Sequence, residues 1–259
     1  MILFFLSRAD LSIHHFELLR NTFKAQHPQS CINCAAYTNV DKAEQEKELA
    51  FQVNGEAVGV LAAVCKEYGT KLIHISTDYV FDSNATTPYT EKFQTNPINI
   101  YGASKLEGEK QAMQFNPESI IIRSSWVYSE FGKNFVKTML KLMERKNEIS
   151  VVNDQIGSPT YAADLAEVIL QIISSGNWQP GIYHYCNEGV ISWFEFAEAI
   201  CDISGYQSKV NPIPSSQYPT PARRPVYSAL DTRKIQTTFG ITPKNWIESL
   251  GICIKKIQK

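Results

Sequence analysis

The chain has 259 residues, with 25 Lys and Arg against 26 Asp and Glu for a formal charge of −1, and 44% of it is hydrophobic. That balance excludes an intrinsically disordered chain, which would be poorer in apolar residues and richer in net charge. A near-neutral chain also has no basic face for nucleic acid, so no nucleic-acid partner is expected.

Residues 1–6 are apolar, too short for the core of a signal peptide and not followed by a cleavage site, and read as a buried strand. A helical stretch over residues 18–23 ends near His27-Pro28, and residues 31–36 form a second strand-like apolar run. Within it Cys31 and Cys34 have C-x-x-C spacing, but no second pair or nearby His completes a metal site. Residues three apart on a strand also face opposite sides, so no metal is expected there. The other cysteines are scattered, and reduced thiols suit a cytoplasmic protein. Residues 43–68 are strongly helical and close at Gly69, 71–76 form a β-branched strand, 101–113 a helix and 119–123 a strand. Helical periodicity returns over 135–145 and 163–173 around a short strand at 149–152. Strands separated by helices of this size predict βαβ units and a doubly wound parallel sheet. No stretch is expected to span a membrane.

Residues 181–185 read as a further strand, and Ser192-Trp-Phe-Glu195 is a capping-box signature opening a helix to Cys201. Residues 211–225 are dense in Pro and Ser, which excludes regular helix and reads as an ordered loop over a pocket or as a linker. The expected plan is a Rossmann-like core over residues 1–160, then a mixed part over 161–259 holding a core helix and a small C-terminal substrate lobe.

Two segments carry chemistry: Ile75-Ser-Thr-Asp-Tyr-Val-Phe81 and Tyr101-Gly-Ala-Ser-Lys105. In the second, Tyr101 and Lys105 are one helical turn apart and share a face. An ammonium beside a phenol favours the phenolate, so Lys105 is expected to lower the Tyr101 pKa. Such a Tyr can give a proton to a carbonyl oxygen as hydride reaches the carbon. Thr77 falls at the carboxyl end of a parallel strand, where ligands of open α/β sheets bind, and its hydroxyl can hold the same oxygen.

Through these segments the chain resembles the extended short-chain dehydrogenase/reductases, and within them the dTDP-4-dehydrorhamnose reductase family. The likeness runs from about Phe4 to the C-terminal helix. It rests on Asn33-Cys-Ala-Ala-Tyr-Thr-Asn-Val-Asp41, Leu72-Ile-His-Ile-Ser-Thr-Asp-Tyr-Val-Phe81, Asn96-Pro-Ile-Asn-Ile-Tyr-Gly-Ala-Ser-Lys-Leu-Glu-Gly-Glu109, Arg123-Ser-Ser-Trp-Val-Tyr128 and Asp154-Gln-Ile-Gly-Ser-Pro-Thr160. An epimerase of the superfamily would show a serine-rich segment in place of Ser76-Thr-Asp-Tyr-Val-Phe81.

The resemblance implies NADPH- (or NADH-) dependent reduction of the C4 keto group of dTDP-4-dehydro-L-rhamnose, a dTDP-4-keto-6-deoxysugar. It implies Tyr101 as proton donor, Lys105 as its partner and nicotinamide-ribose ligand, and Thr77 on the reacting oxygen. Ser76, Ala35, Ala36 and Tyr37 would line the cofactor, and Asp78 and Trp126 would touch the sugar. Trp126 reads equally as a core aromatic. Arg223 and Arg224 would neutralise the substrate pyrophosphate or form a solvated basic pair. A homodimer and an interfacial magnesium also fit the family, without ligands that can be assigned.

The family opens with a strand and a glycine-rich turn, whereas the first glycine here is Gly55, inside a helical stretch. Residues 4–13 resemble the family's second strand and the loop after it, so one β-α unit is expected to be absent, leaving an N-terminally truncated Rossmann-like sheet. Three outcomes follow: a true start upstream of Met1, a slide of residues 1–6 into the central position, or a non-catalytic regulatory or scaffolding homologue. The first is favoured, because unpaired buried ladder groups cost about 1–3 kcal/mol each. Arg8, just after the first predicted strand, would suit the 2′-phosphate of NADPH.

Overall fold

The structure, a computed structural model, describes residues 2–259. Its centre is a four-stranded parallel sheet built from β1 (Ser30–Asn33), β2 (Lys71–Thr77), β3 (Ile120–Ser124) and β5 (Gly181–His184), in the order β1-β2-β3-β5. The register pairs Cys31 with Leu72, Ile73 with Ile120 and Ile120 with Gly181. Period-2 alternation sends Ile73, Ile120 and Ile122 to one face, under α5 (Ala162–Ser174) and α7 (Arg233–Phe239). Leu72 and Ile121 go to the other, under α1 (Phe16–Gln26) and α2 (Lys47–Glu67). Both faces are thus covered, as the sequence rhythm predicts for a doubly wound sheet.

Helix α2 carries a π-helical turn at Gln52–Glu56 and packs on α3 (Ile100–Phe115). By length and composition it could cross a membrane, at a mean hydropathy of 1.2, although no such stretch was expected; 56% of that window is buried inside the fold. Its apolarity is explained by packing on two sides.

A further hydrophobic cluster, drawn from residues between Tyr128 and Ile254, forms a lobe beside the sheet. There α4 (Phe135–Met143), α6 (Trp193–Ser204) and α8 (Trp246–Ile257) pack around Phe196, Ile200 and Leu250, which are fully buried. A parallel pair, β4 (Glu148–Val152) with β6 (Lys209–Ile213), closes it. The Ser192 capping box at the start of α6 forms as expected.

Two sequence expectations need correction. Of the expected strand at residues 1–6, Met1 lies outside the described residues, and Ile2–Leu6 forms no strand and is exposed, with Phe5 at 87%. The slide into the central position therefore does not occur, and among the described residues no strand pairs with the outer edge of β1. The Pro-rich stretch is not loop from its start, because Asn211-Pro212-Ile213 belongs to β6. Pro is tolerated there since β6 pairs on one side only.

Candidate active site

The site lies at the carboxyl ends of β1 and β2, against the first turns of α3. Thr77 ends β2 and caps a 3₁₀ turn, Asp78–Val80, its Oγ1 accepting from Tyr79 N at 3.2 Å and donating to Asp78 Oδ1 at 2.9 Å. Asn99 caps α3 by accepting from Gly102 N at 2.8 Å. A Cβ on Gly102 would stand 2.1 Å from the Tyr79 carbonyl oxygen, so glycine is what lets α3 press on the 3₁₀ turn. That approach brings the Tyr101 phenol to the Thr77 hydroxyl and sets its ring edge-on to Tyr79, with centroids 5.6 Å apart.

Period 2 on β2 meets period 4 on α3. Leu72, His74 and Ser76 share a face of the strand, and Lys105, Glu109 and Ala112 oppose them from the helix. Lys105 is 2% exposed and donates to Ile75 O at 2.6 Å, with His74 Nε2 3.5 Å from its amine. Ser76 Oγ donates to Glu109 Oε1 at 2.5 Å. Glu109 is held in turn by Arg123 of β3, through Nε at 2.8 Å and Nη2 at 2.6 Å, in an ion pair whose side chains are both 3% exposed.

Burial dominates the electrostatics. It raises the Tyr101 phenol above its ordinary value, with Thr77 opposing and the charge of Asp78 adding. The expected lowering of the Tyr101 pKa by Lys105 does not occur here, because the amine turns to Ile75 O rather than to the phenol. Burial also brings Lys105 down to about 8, against the pull of Glu109 and Cys34. Asp78 is pushed up to about 6 by burial, against hydrogen bonds from Ser228 and Thr77. Its Oδ2 is buried with no hydrogen-bond partner among the described residues.

The other sequence-derived site residues divide. Ala35 and Ala36 follow β1, the first exposed and the second half-buried; small side chains there leave the backbone open to a ligand lying across the strand ends. Tyr37 is tied by its N–H to Asn54 Oδ1 at 2.8 Å and by its phenol to Glu46 at 2.5 Å. The hydroxyl of Ser76 is committed to Glu109. Trp126 has a left-handed φ of 49° and stacks on Trp193 with centroids 3.6 Å apart, which seats it on the lobe core as a half-buried aromatic. Arg224 pairs with Asp41 at 2.7 Å and reaches Tyr79, whereas Arg223 is exposed and offers its carbonyl to Asn99 Nδ2 at 2.9 Å. Arg8 sits on an exposed turn beside His14, and no hydrogen bond or ion pair among the described residues links it to the cluster.

The chain segment around Arg224 is fastened over the site from several directions. Ala222 N donates to Asp41 at 3.2 Å, Val226 N and Tyr227 N donate to Ser83 Oγ at 2.6 and 3.0 Å, and Ser228 reaches Asp78.

Sequence reasoning missed Asn54, His74, Glu109 and Arg123. Asn54 is fully buried on the π-helical turn and donates to Tyr37 O at 3.0 Å and to Ser104 Oγ at 2.9 Å, joining the β1 loop to α3. A polar residue inside an apolar helix was its available signal. Among the described residues, no group of three or more His, Cys, Asp or Glu side chains could hold a metal ion, so magnesium gains no ligand set.

Comparison with known proteins identifies the family. The family model described as the RmlD substrate binding domain matches residues 2–259. The dTDP-4-dehydrorhamnose reductase of Sinorhizobium fredii is 46% identical over 231 residues, covering 86% of this chain and 78% of that protein. The enzyme of the same name from Aggregatibacter actinomycetemcomitans is 41% identical over 252 residues, covering 93% and 86%. Among solved structures, a dTDP-4-dehydrorhamnose reductase from Bacillus anthracis in complex with NADP superposes at a TM-score of 0.93. It is 37% identical and covers 97% of this chain and 89% of that one.

Proposed function

This chain belongs to the RmlD substrate binding domain family, that of the dTDP-4-dehydrorhamnose reductases, and from that premise we propose that Thr77, Tyr101 and Lys105 are its catalytic residues. It is an NAD(P)H-dependent oxidoreductase of dTDP-rhamnose biosynthesis, reducing the C4 keto group of dTDP-4-dehydro-L-rhamnose. The observation that carries the residue assignment is the meeting of the Tyr101 phenol with the Thr77 hydroxyl at the end of β2, with Lys105 one helical turn behind.

The open backbone at Ala35 and Ala36, the half-buried phenol and the Lys105 amine fit a dinucleotide laid across the strand ends, with Tyr37 beside it. When bound, the reduced cofactor supplies the hydride for C4. Thr77, turning its hydroxyl proton from Asp78 to the substrate, donates to the C4 oxygen and orients it. Tyr101, kept protonated by its raised pKa, gives its proton to that oxygen, and Lys105 stabilises the phenolate left behind. Asp78, with one oxygen free, accepts from a sugar hydroxyl, and Trp126 offers the sugar an apolar wall. Arg223 and Arg224 serve the pyrophosphate. NADPH is the preferred donor in this reading, and six free thiols suit a cytoplasmic location.

The test is to incubate the purified chain with NADPH and dTDP-4-dehydro-L-rhamnose and to identify the product. Formation of dTDP-L-rhamnose is expected. Absence of both turnover and saturable NADPH binding would favour the non-catalytic reading, and an epimerised product the epimerase reading.

A further inference from the structure

Lys105 stands at one end of a buried hydrogen-bond chain whose polarity can be read from its far end. The amide N–H of Ala35 donates to Asn33 Oδ1 at 3.1 Å, and a backbone N–H has no other role to offer. The Asn33 amide is thereby oriented, and its Nδ2 faces His74 Nδ1 at 3.1 Å. Nδ2 can only donate, so Nδ1 must accept, and the proton of a neutral imidazole must sit on Nε2. That nitrogen lies 3.5 Å from the Lys105 amine. The reverse tautomer would need the Asn33 amide flipped, setting its NH₂ against the Ala35 N–H. A doubly protonated ring is excluded by burial, since His74 is fully buried and its pKa lies well below the ordinary value.

We propose that His74 is a positioning residue for Lys105: locked by Asn33 as the Nε2–H tautomer, it presents a donor to the amine and so favours the amine that has given up its proton. This rests on the reading of Tyr101 and Lys105 as the proton-delivering pair. In that reaction the Tyr101 O–H bond breaks as the C4 O–H bond forms. The phenolate then takes a proton, relayed through solvent, from the Lys105 ammonium, which faces Ile75 O and not the phenol. The lone pair left on nitrogen accepts from His74 Nε2–H, and solvent later restores the ammonium. An ammonium facing an N–H donor is penalised, so release is eased at the point where the phenolate needs a proton. Of the other titratable groups around Lys105, Glu109 on its own helix and Cys34 after β1 favour the charged form and burial opposes it; Tyr101 lies one turn back on the same helix, and His74 Nε2 stands 3.5 Å from the amine. Because the chain begins at Ala35 N–H, the loop expected to meet the cofactor also sets the tautomer.

Nitrogen-15 NMR of the full chain with labelled histidine reads the tautomer directly. In the parent, His74 should stay neutral with its proton on Nε2 from pH 6 to 9, and in Asn33→Asp the proton should move to Nδ1. The alkaline limb of kcat/KM should then rise by about one pH unit, since an acceptor now faces the ammonium. His74→Gln, whose amide can turn its oxygen to the amine, should shift the limb the same way. A parent Nδ1–H tautomer, or an alkaline limb unmoved in both variants, overturns the proposal. The tautomer is read without turnover, so a parent carrying Nε2–H that fails to reduce the keto sugar would sink the catalytic reading while leaving the hydrogen-bond chain standing.

Discussion

At the scale of single residues, the site combines a phenol that holds its proton with a carboxyl placed where it resists ionising. Tyr101→Phe removes one oxygen atom and should lower kcat by about 10²–10⁴, with an unchanged circular-dichroism spectrum. Asp78 shows the cost of keeping such groups. Its carboxyl titrates near 6 rather than 3.8, so the folded state binds the proton more tightly than the unfolded one. Ionisation therefore destabilises the fold progressively between those values, by on the order of 2–3 kcal/mol once complete, and not at all below them. Asp78→Asn should raise the melting temperature at pH 7.5, lose that advantage at pH 4 and turn over more slowly. Equal gains at both pH values would mean that charge is not the cause.

Among elements, the contact that matters is α3 against the 3₁₀ turn and against α2. Gly102→Ala would drive a Cβ into the Tyr79 carbonyl and push Tyr101 away from Thr77. Turnover should fall by at least about tenfold while the protein still folds, because misplacement of about an ångström costs that much or more. The same elements show what the sequence made legible. Apolar runs separated by helical periods gave the central strands from Ser30–Asn33 onward, and the Y-x-x-x-K spacing put Tyr101 and Lys105 on one face of α3. Invisible was the partner that each side chain would choose. Ser76 and His74 look like ordinary strand residues until α3 sets Glu109 and Lys105 over them. Spacing along a helix gives proximity but not the direction in which a lysine turns, so it does not set the Tyr101 pKa. Residues 1–6 were read as a strand on apolarity alone, which cannot supply a ladder partner.

For the molecule as a whole, separate hydrophobic clusters cover both faces of the sheet and fill the lobe beside it, and the Glu109–Arg123 pair ties α3 to β3 beneath the site. Glu109→Gln would leave Arg123 charged and buried without compensation. A loss of about 3–5 kcal/mol is expected, readable as a lower urea midpoint with an unchanged slope.

The segment from Ala222 to Ser228 carries a consequence for the order of events. Its fastenings reach Asp41 and Asn99, up to 183 and 124 residues away along the chain, so neither can be made until those clusters have assembled. These knots are the last to be tied and the first to slip. Under mild denaturant the amides of Ala222, Val226 and Tyr227 should exchange with deuterium well before those of β2. The mouth of the site would then loosen while the sheet beneath it keeps its shape.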